Sequence, residues 1–168
     1  MSLADILLPI FDHEMSSTRT VLERIPEDKP SFKPHEKSMA MGRLAVHVAR
    51  LPRFAVAILT TPSMDLATNK WPELIYESRE KLLAEFDGAA AEARALLQAV
   101  TEPQLNQPWK LAWGEKTITN MPRGVLYHTL FLNHLIHHRA QLGVYLRLND
   151  QPVPARRHTW GSLKALYR

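Results

Sequence analysis

Asn133-His134-Leu135-Ile136-His137-His138-Arg139-Ala140-Gln141-Leu142 sets two histidines four residues apart inside an apolar repeat. On a helix such residues stand one turn above the other, so His134 and His138 can aim their imidazoles at a common point. At about 100° per residue, Tyr127, Phe131, Gln141 and Tyr145 fall within roughly 40° of the line bisecting that pair. By the same count His137 points about 80° away and His128 about 100° away, which makes both surface or outer residues rather than ligands. The pattern fits a helix from about Pro122 to Leu148, with Pro122 in its first turn.

Working outward, three more stretches carry helical periodicity, which points to an all-α domain. The first runs from Leu3 to Ile25 and stops at Pro26, with the stripe Leu3, Leu7, Ile10, Glu14, Val21, Ile25. The second starts after Pro34 with Ser38 as N-cap, and carries Ala40, Leu44, His47, Leu51, Phe54 and Ile58 on one face. Pro52 falls inside that helix and should kink it, because proline removes one amide donor and crowds the preceding turn. The third, Pro72 to Val100, repeats Ile75, Leu82, Phe86, Ala89, Ala93, Leu96 and Val100. Residues 101–121 break the helical period. There Trp109-Lys110-Leu111-Ala112-Trp113 and Lys116-Thr117-Ile118-Thr119 flank Gly114-Glu115, which predicts a small hairpin or extended flap before the last long helix. The tail after Asn149 reads as loop, with a short helical turn near Ser162 to Tyr167.

His47 sits in the centre of an apolar helix face, where an unpaired imidazole is costly to bury. A lone histidine there would more often be a satisfied core residue, and a pair on one helix can be satisfied by backbone or water. Three inward-facing histidines on two helices that can pack together are harder to explain separately. His47, His134 and His138 are therefore the candidate ligands of one metal ion. Leu135 follows His134 where a zinc protease would have glutamate, so the segment is not H-E-x-x-H. Three nitrogen ligands leave a position open, the arrangement of a catalytic site, and they suit Zn²⁺, Ni²⁺ or Fe²⁺. Glu14 lies on an apolar stripe where a solvated glutamate is out of place; it is either a snorkelling residue or a carboxylate facing the pocket, as outer ligand or general base. Gln141 is a candidate to orient a ligand or substrate. Tyr127, Tyr145, Trp109 and Trp113 are candidates for pocket wall, with core packing the commoner explanation for such aromatics.

The quoted last-helix segment, followed by Tyr145-Leu146-Arg147, resembles the H-x-x-x-H-R-x-Q motif of DinB/YfiT-like proteins. Pro34-His35-Glu36-Lys37-Ser38-Met39-Ala40-Met41-Gly42-Arg43-Leu44-Ala45-Val46-His47 is similar to their second-helix signature, and Glu14 to Asp28 is similar to their first helix. The likeness covers most of residues 10–154. It implies a four-helix bundle, commonly dimeric, with a three-histidine metal site at His47, His134 and His138. Some members of that family are S-transferases or isomerases that use bacillithiol, mycothiol or glutathione. The chain departs from them after Val153-Pro154, where Ala155-Arg156-Arg157-His158-Thr159-Trp160 replaces a tyrosine-glycine-proline-like turn.

Bulk composition bounds what remains. At 168 residues, 45% hydrophobic and 23% charged, the chain suits one globular domain over residues 1–168. It has no cysteine, which excludes disulfides, thiolate metal sites and a cysteine nucleophile, so any thiol must come from a cosubstrate. The net charge of +4 is small and dispersed, so nucleic acid is not an expected partner. No apolar run is long enough to span a bilayer and no basic, cleavable leader opens the chain, so a cytoplasmic protein without a membrane partner is expected. Opposite its histidines the last helix carries Val125, Leu132, Ile136 and Gly143; a helix apolar on two sides is buried on both, by the same chain or by a homodimer. The function expected is a metal-dependent enzyme activating water or an exogenous low-molecular-weight thiol against a small electrophile, as a thiol S-transferase or hydrolase. The alternative is a non-catalytic metal- or small-molecule-binding helical protein.

Overall fold

A computed structural model describes residues 2–70 and 72–153. The expected helical turn near Ser162 to Tyr167 lies outside them. The first helix, α1 (Leu3–Leu22), starts at a capping box: Ser2 Oγ accepts from the Asp5 amide at 3.1 Å, and the Asp5 carboxylate accepts from the Ser2 amide at 2.7 Å. Its buried positions are Leu7, Phe11, Met15, Thr18, Val21 and Leu22, so the inward face lies one residue beyond the expected stripe. Ile10, expected inside, is 39% exposed. The helix also ends three residues before Ile25, in a turn ahead of Pro26.

The second helix, α2 (Met41–Thr60), begins later than expected, and Ser38 does not cap it; Ala40 occupies the N-cap with no side-chain bond. The start is set by packing instead. The Met41 and Gly42 amides donate to the Phe32 and Pro30 carbonyls at 2.9 and 2.8 Å, which satisfies two of the first-turn donors. Leu44, Leu51 and Ile58 are buried as expected, and so are Ala45, Val48, Ala49 and Ala55, which widens the buried face. Pro52 lies within the helix, which runs on to Thr60.

The segment before the third helix holds an unexpected strand, β1 (Ser63–Asp65). The third helix, α3 (Arg79–Ala99), starts at Ser78, whose hydroxyl accepts from the Lys81 amide, and not at Pro72. Leu82, Phe86, Ala89 and Ala93 face the core, followed by Leu97 in place of Leu96; Ile75 is exposed. A short α4 (Glu102–Asn106), capped by Thr101 and Gln104, leads into the predicted hairpin of β2 (Pro108–Trp113) and β3 (Lys116–Pro122). These strands pair antiparallel with a register shift between Leu111 and Ala112. β1 joins β2 in parallel, Met64 opposite Leu111, to give a sheet of order β1-β2-β3.

That sheet corrects the all-α expectation. Its missed strand is three residues long, too short for a period-two pattern, and it is held by side-chain bonding. The Asp65 carboxylate accepts from the Ala67 and Gly114 amides, both at 2.9 Å, so it ties β1 to the turn between β2 and β3. Gly114 takes φ +56 there, a conformation that costs glycine little.

The last helical element runs as α5 (Arg123–Leu126), a π-helical segment (Tyr127–Leu132) and α6 (Asn133–Leu148). α2 packs on α3 and α6, and α1 packs on the same two helices. Leu3 meets Gly124, Phe11 meets Phe131 and Glu14 meets Arg139, so α1 and the last helix lie parallel. The core between the four long helices includes Phe11, Leu44, Phe86, Phe131 and Leu135, each no more than 1% exposed.

Candidate metal centre

α2 contributes His47 and α6 contributes His134 and His138. Each offers a ring nitrogen that lies within 4.8 Å of the other two. His47 Nε2 and His134 Nε2 are 3.2 Å apart. The ring centroids are 5.1 Å apart for His47 and His134, 4.7 Å for His47 and His138, and 4.6 Å for His134 and His138. All three residues are half-buried, and His47 and His134 meet across 87 residues of sequence.

The surroundings keep these rings neutral. Burial is the largest influence on His47 and pushes its pKa down to about 4, with His138, His134 and Arg43 lowering it further. Burial also lowers His134, as does His138, against the Leu130 carbonyl, which acts on the ring as an acceptor and raises it. His138 is lowered by burial and by His137, against a raising hydrogen bond to Gln141. Neutral imidazoles keep the lone pairs that a metal needs. The geometry fits the same donor set. Zn–N bonds of about 2.0–2.1 Å in a tetrahedron separate the nitrogens by roughly 3.3 Å, close to the 3.2 Å between His47 and His134.

Glu14 is not one of the clustered residues. Its carboxylate faces Arg139, with Arg139 Nη2 2.5 Å from Oε2. That contact is an ion pair whose angles are not those of a hydrogen bond, which leaves Oε2 without a hydrogen-bond donor. Arg139 Nη1 also donates to the Glu14 carbonyl at 3.0 Å and to Thr18 Oγ1 at 3.2 Å. Gln141 does reach the cluster: its Oε1 is 2.7 Å from His138 Nδ1, and its Nε2 is 3.1 Å from His137 Nε2.

Among the aromatic candidates, Trp109 is fully buried and donates from Nε1 to Thr61 Oγ1, while Tyr127 packs edge-on against Phe131 in the core. Burial pushes the Tyr127 hydroxyl well above its ordinary range, with Asp12 adding to it. The Tyr145 hydroxyl donates to the Met39 carbonyl, and Trp113 is 62% exposed on the hairpin. His137 and His128 are exposed, but His137 is joined to His138 through Gln141.

Sequence reasoning did not assign roles to Arg139, Arg43 or the Leu130 carbonyl. Arg43 had a readable signal, since it stands one turn before His47 on α2. The other two depend on packing against α1 and on the π-helical segment. Such π-helical segments are frequent at functional sites.

A model of the DinB family matches residues 1–160. A solved DinB-like protein from Bacillus subtilis is 26% identical, covering 88% of this chain and 95% of its own, with a TM-score of 0.68. A DinB-like protein from Bacillus cereus is 21% identical, covering 89% of this chain and 94% of its own, with a TM-score of 0.67. No curated protein matches the chain.

Proposed function

Since this chain belongs to the DinB family, we propose that it is a metal-dependent enzyme in which His47, His134 and His138 hold one divalent ion, Zn²⁺, Ni²⁺ or Fe²⁺. The observation that carries this reading is the convergence of three neutral ring nitrogens within 4.8 Å. When bound, the ion supplies Lewis acidity that lowers the pKa of a water or an exogenous thiol, so that it attacks a small electrophile at neutral pH. The chain's own part is to bind and orient. Burial in the seam between α2 and α6 keeps the three rings unprotonated, and with no cysteine present the chain cannot supply the thiol itself. Glu14 is held in an ion pair with Arg139 that joins α1 to α6, and does not act as a free base. The reaction class is S-transfer or hydrolysis.

The four long helices read as a four-helix bundle carrying a small sheet. A second copy of the chain is the partner that fits the outer faces of α1 and the last helix, where Ile6 and Ile10 on the one and Val125 and Val144 on the other are exposed. No helix among the described residues is long and apolar enough to cross a membrane.

Metal analysis of protein purified without a nickel column tests the reading. One equivalent of divalent metal per chain is expected, lost in His47→Ala and in His138→Ala. A metal-free wild type whose fold is indifferent to both substitutions removes the basis for catalysis. With metal bound, turnover of thiol-plus-electrophile pairs or of activated esters separates an enzyme from a non-catalytic binder, and solution mass at micromolar concentration tests the dimer.

A further inference from the structure

The hydrogen bonds around Gln141 have only one consistent direction when His138 is a ligand. An amide oxygen can only accept, so the 2.7 Å contact from Gln141 Oε1 to His138 Nδ1 requires the proton on Nδ1. In a neutral ring the lone pair is then on Nε2. At its other end the amide nitrogen can only donate, so the 3.1 Å contact from Gln141 Nε2 to His137 Nε2 requires a lone pair there. Rotating the amide by half a turn reverses both demands. It would place N–H groups against His138 Nδ1, leave the proton on Nε2, and remove that nitrogen as a ligand.

We propose that Gln141 is a positioning residue of the metal centre: its amide, oriented by His137, holds His138 in the tautomer that presents Nε2. The inference rests on the three-histidine reading given above. Helical spacing makes the arrangement possible, because Gln141 stands one turn beyond both His137 (i+4) and His138 (i+3) and reaches each from the same helix. His138 thus has an acceptor from its own helix behind it, as ligating histidines ordinarily do. His137 is exposed and cannot join the cluster; its role is to set which end of the Gln141 amide faces His138.

The test pairs Zn²⁺ affinity, from chelator competition, with the imidazole tautomers of metal-free protein, from long-range ¹⁵N–¹H correlation. Gln141→Leu is expected to weaken Zn²⁺ binding by about 10- to 100-fold and to release His138 from the Nδ1–H tautomer. Gln141→Glu keeps the acceptor and should bind at least as tightly as wild type. His137→Ala should weaken binding by a smaller factor and mix the His138 tautomers. If Gln141→Leu does not fold, the Gln141→Glu and His137→Ala arms still decide. Gln141→Leu with wild-type affinity and tautomer overturns the proposal, as does Gln141→Glu losing affinity, and an unchanged His137→Ala removes His137 from it. A folded wild type that binds no Zn²⁺ overturns the metal reading itself; a wild type that binds while the variants do not differ overturns this inference alone.

Discussion

Replacing Arg139 with methionine separates two roles for Glu14, a pocket carboxylate or half of an internal ion pair. The side chains of Glu14 and Arg139 are each 14% exposed. Removing one partner of a fully buried pair costs about 3–5 kcal/mol, because the other charge is stranded. Residual exposure admits some water, while Thr18 Oγ1 in the core also loses a donor. The Glu14 carbonyl is less affected, since Thr18 Oγ1 still donates to it at 2.7 Å. Together these place Arg139→Met at about 2–4 kcal/mol of destabilisation, or roughly 4–16 °C in Tm at 2–4 °C per kcal/mol. Glu14→Gln should cost less, about 1–2 kcal/mol, because Arg139 keeps two neutral acceptors. The double variant should recover about 1–3 kcal/mol relative to the sum. Urea unfolding of the four proteins, each stripped of metal, measures the coupling. A coupling below about 0.5 kcal/mol would make the pair an ordinary surface contact. A Glu14→Gln protein that unfolds normally yet loses bound metal would refute the structural role and return the carboxylate to the site.

Acidification provides an independent check. His47 titrates near 4 in the fold against an ordinary 6.5, so between those values the unfolded chain binds more protons. Stability of metal-free protein should therefore fall as pH drops below 6.5, levelling near 4, by about 1–3 kcal/mol after allowing for partial solvent access; His47→Leu should flatten that part of a pH series of urea midpoints. Gly42→Ala should cost about 1–3 kcal/mol by overpacking, since a Cβ there would lie 2.8 Å from Tyr76 Cβ and 2.9 Å from Pro30 Cβ. Gly88→Ala, exposed within α3 with nothing inside 4 Å, should instead stabilise by about 0.5–1 kcal/mol in the same assay. Arg123→Met should cost about 1–3 kcal/mol, because Arg123 Nη1 serves the Ile58 and Thr61 carbonyls at the end of α2; a Tm unchanged within error would show those carbonyls to be solvated.

Helical periodicity determined which histidines each helix turns inward, and the packing of α2 on α6 brought His47 to His134 and His138. His134 and His138 lie on a regular α-helix, so the 3.6-residue repeat both paired them and turned His137 outward. The same repeat placed Gln141 beside them, on the α-helical side of Asn133. The hairpin was legible because Gly114 sits between two runs of strand-forming residues. What the repeat could not supply was anything set by a neighbouring element. A one-residue drift in α1 decided that Phe11 and Met15 point inward, and left Glu14 at the edge of the core against Arg139. The start of α2 came from carbonyls of the preceding loop, and β1 exists only because β2 and Asp65 hold it. Upstream of Asn133 the π-helical segment changes the rotation per residue, so an angle counted back to Tyr127 has no fixed meaning. Local spacing is a property of one helix and can be read from its residues. Which face meets a partner, and which charge is paired, depends on surfaces brought together from distant parts of the chain, and tertiary packing alone decides them.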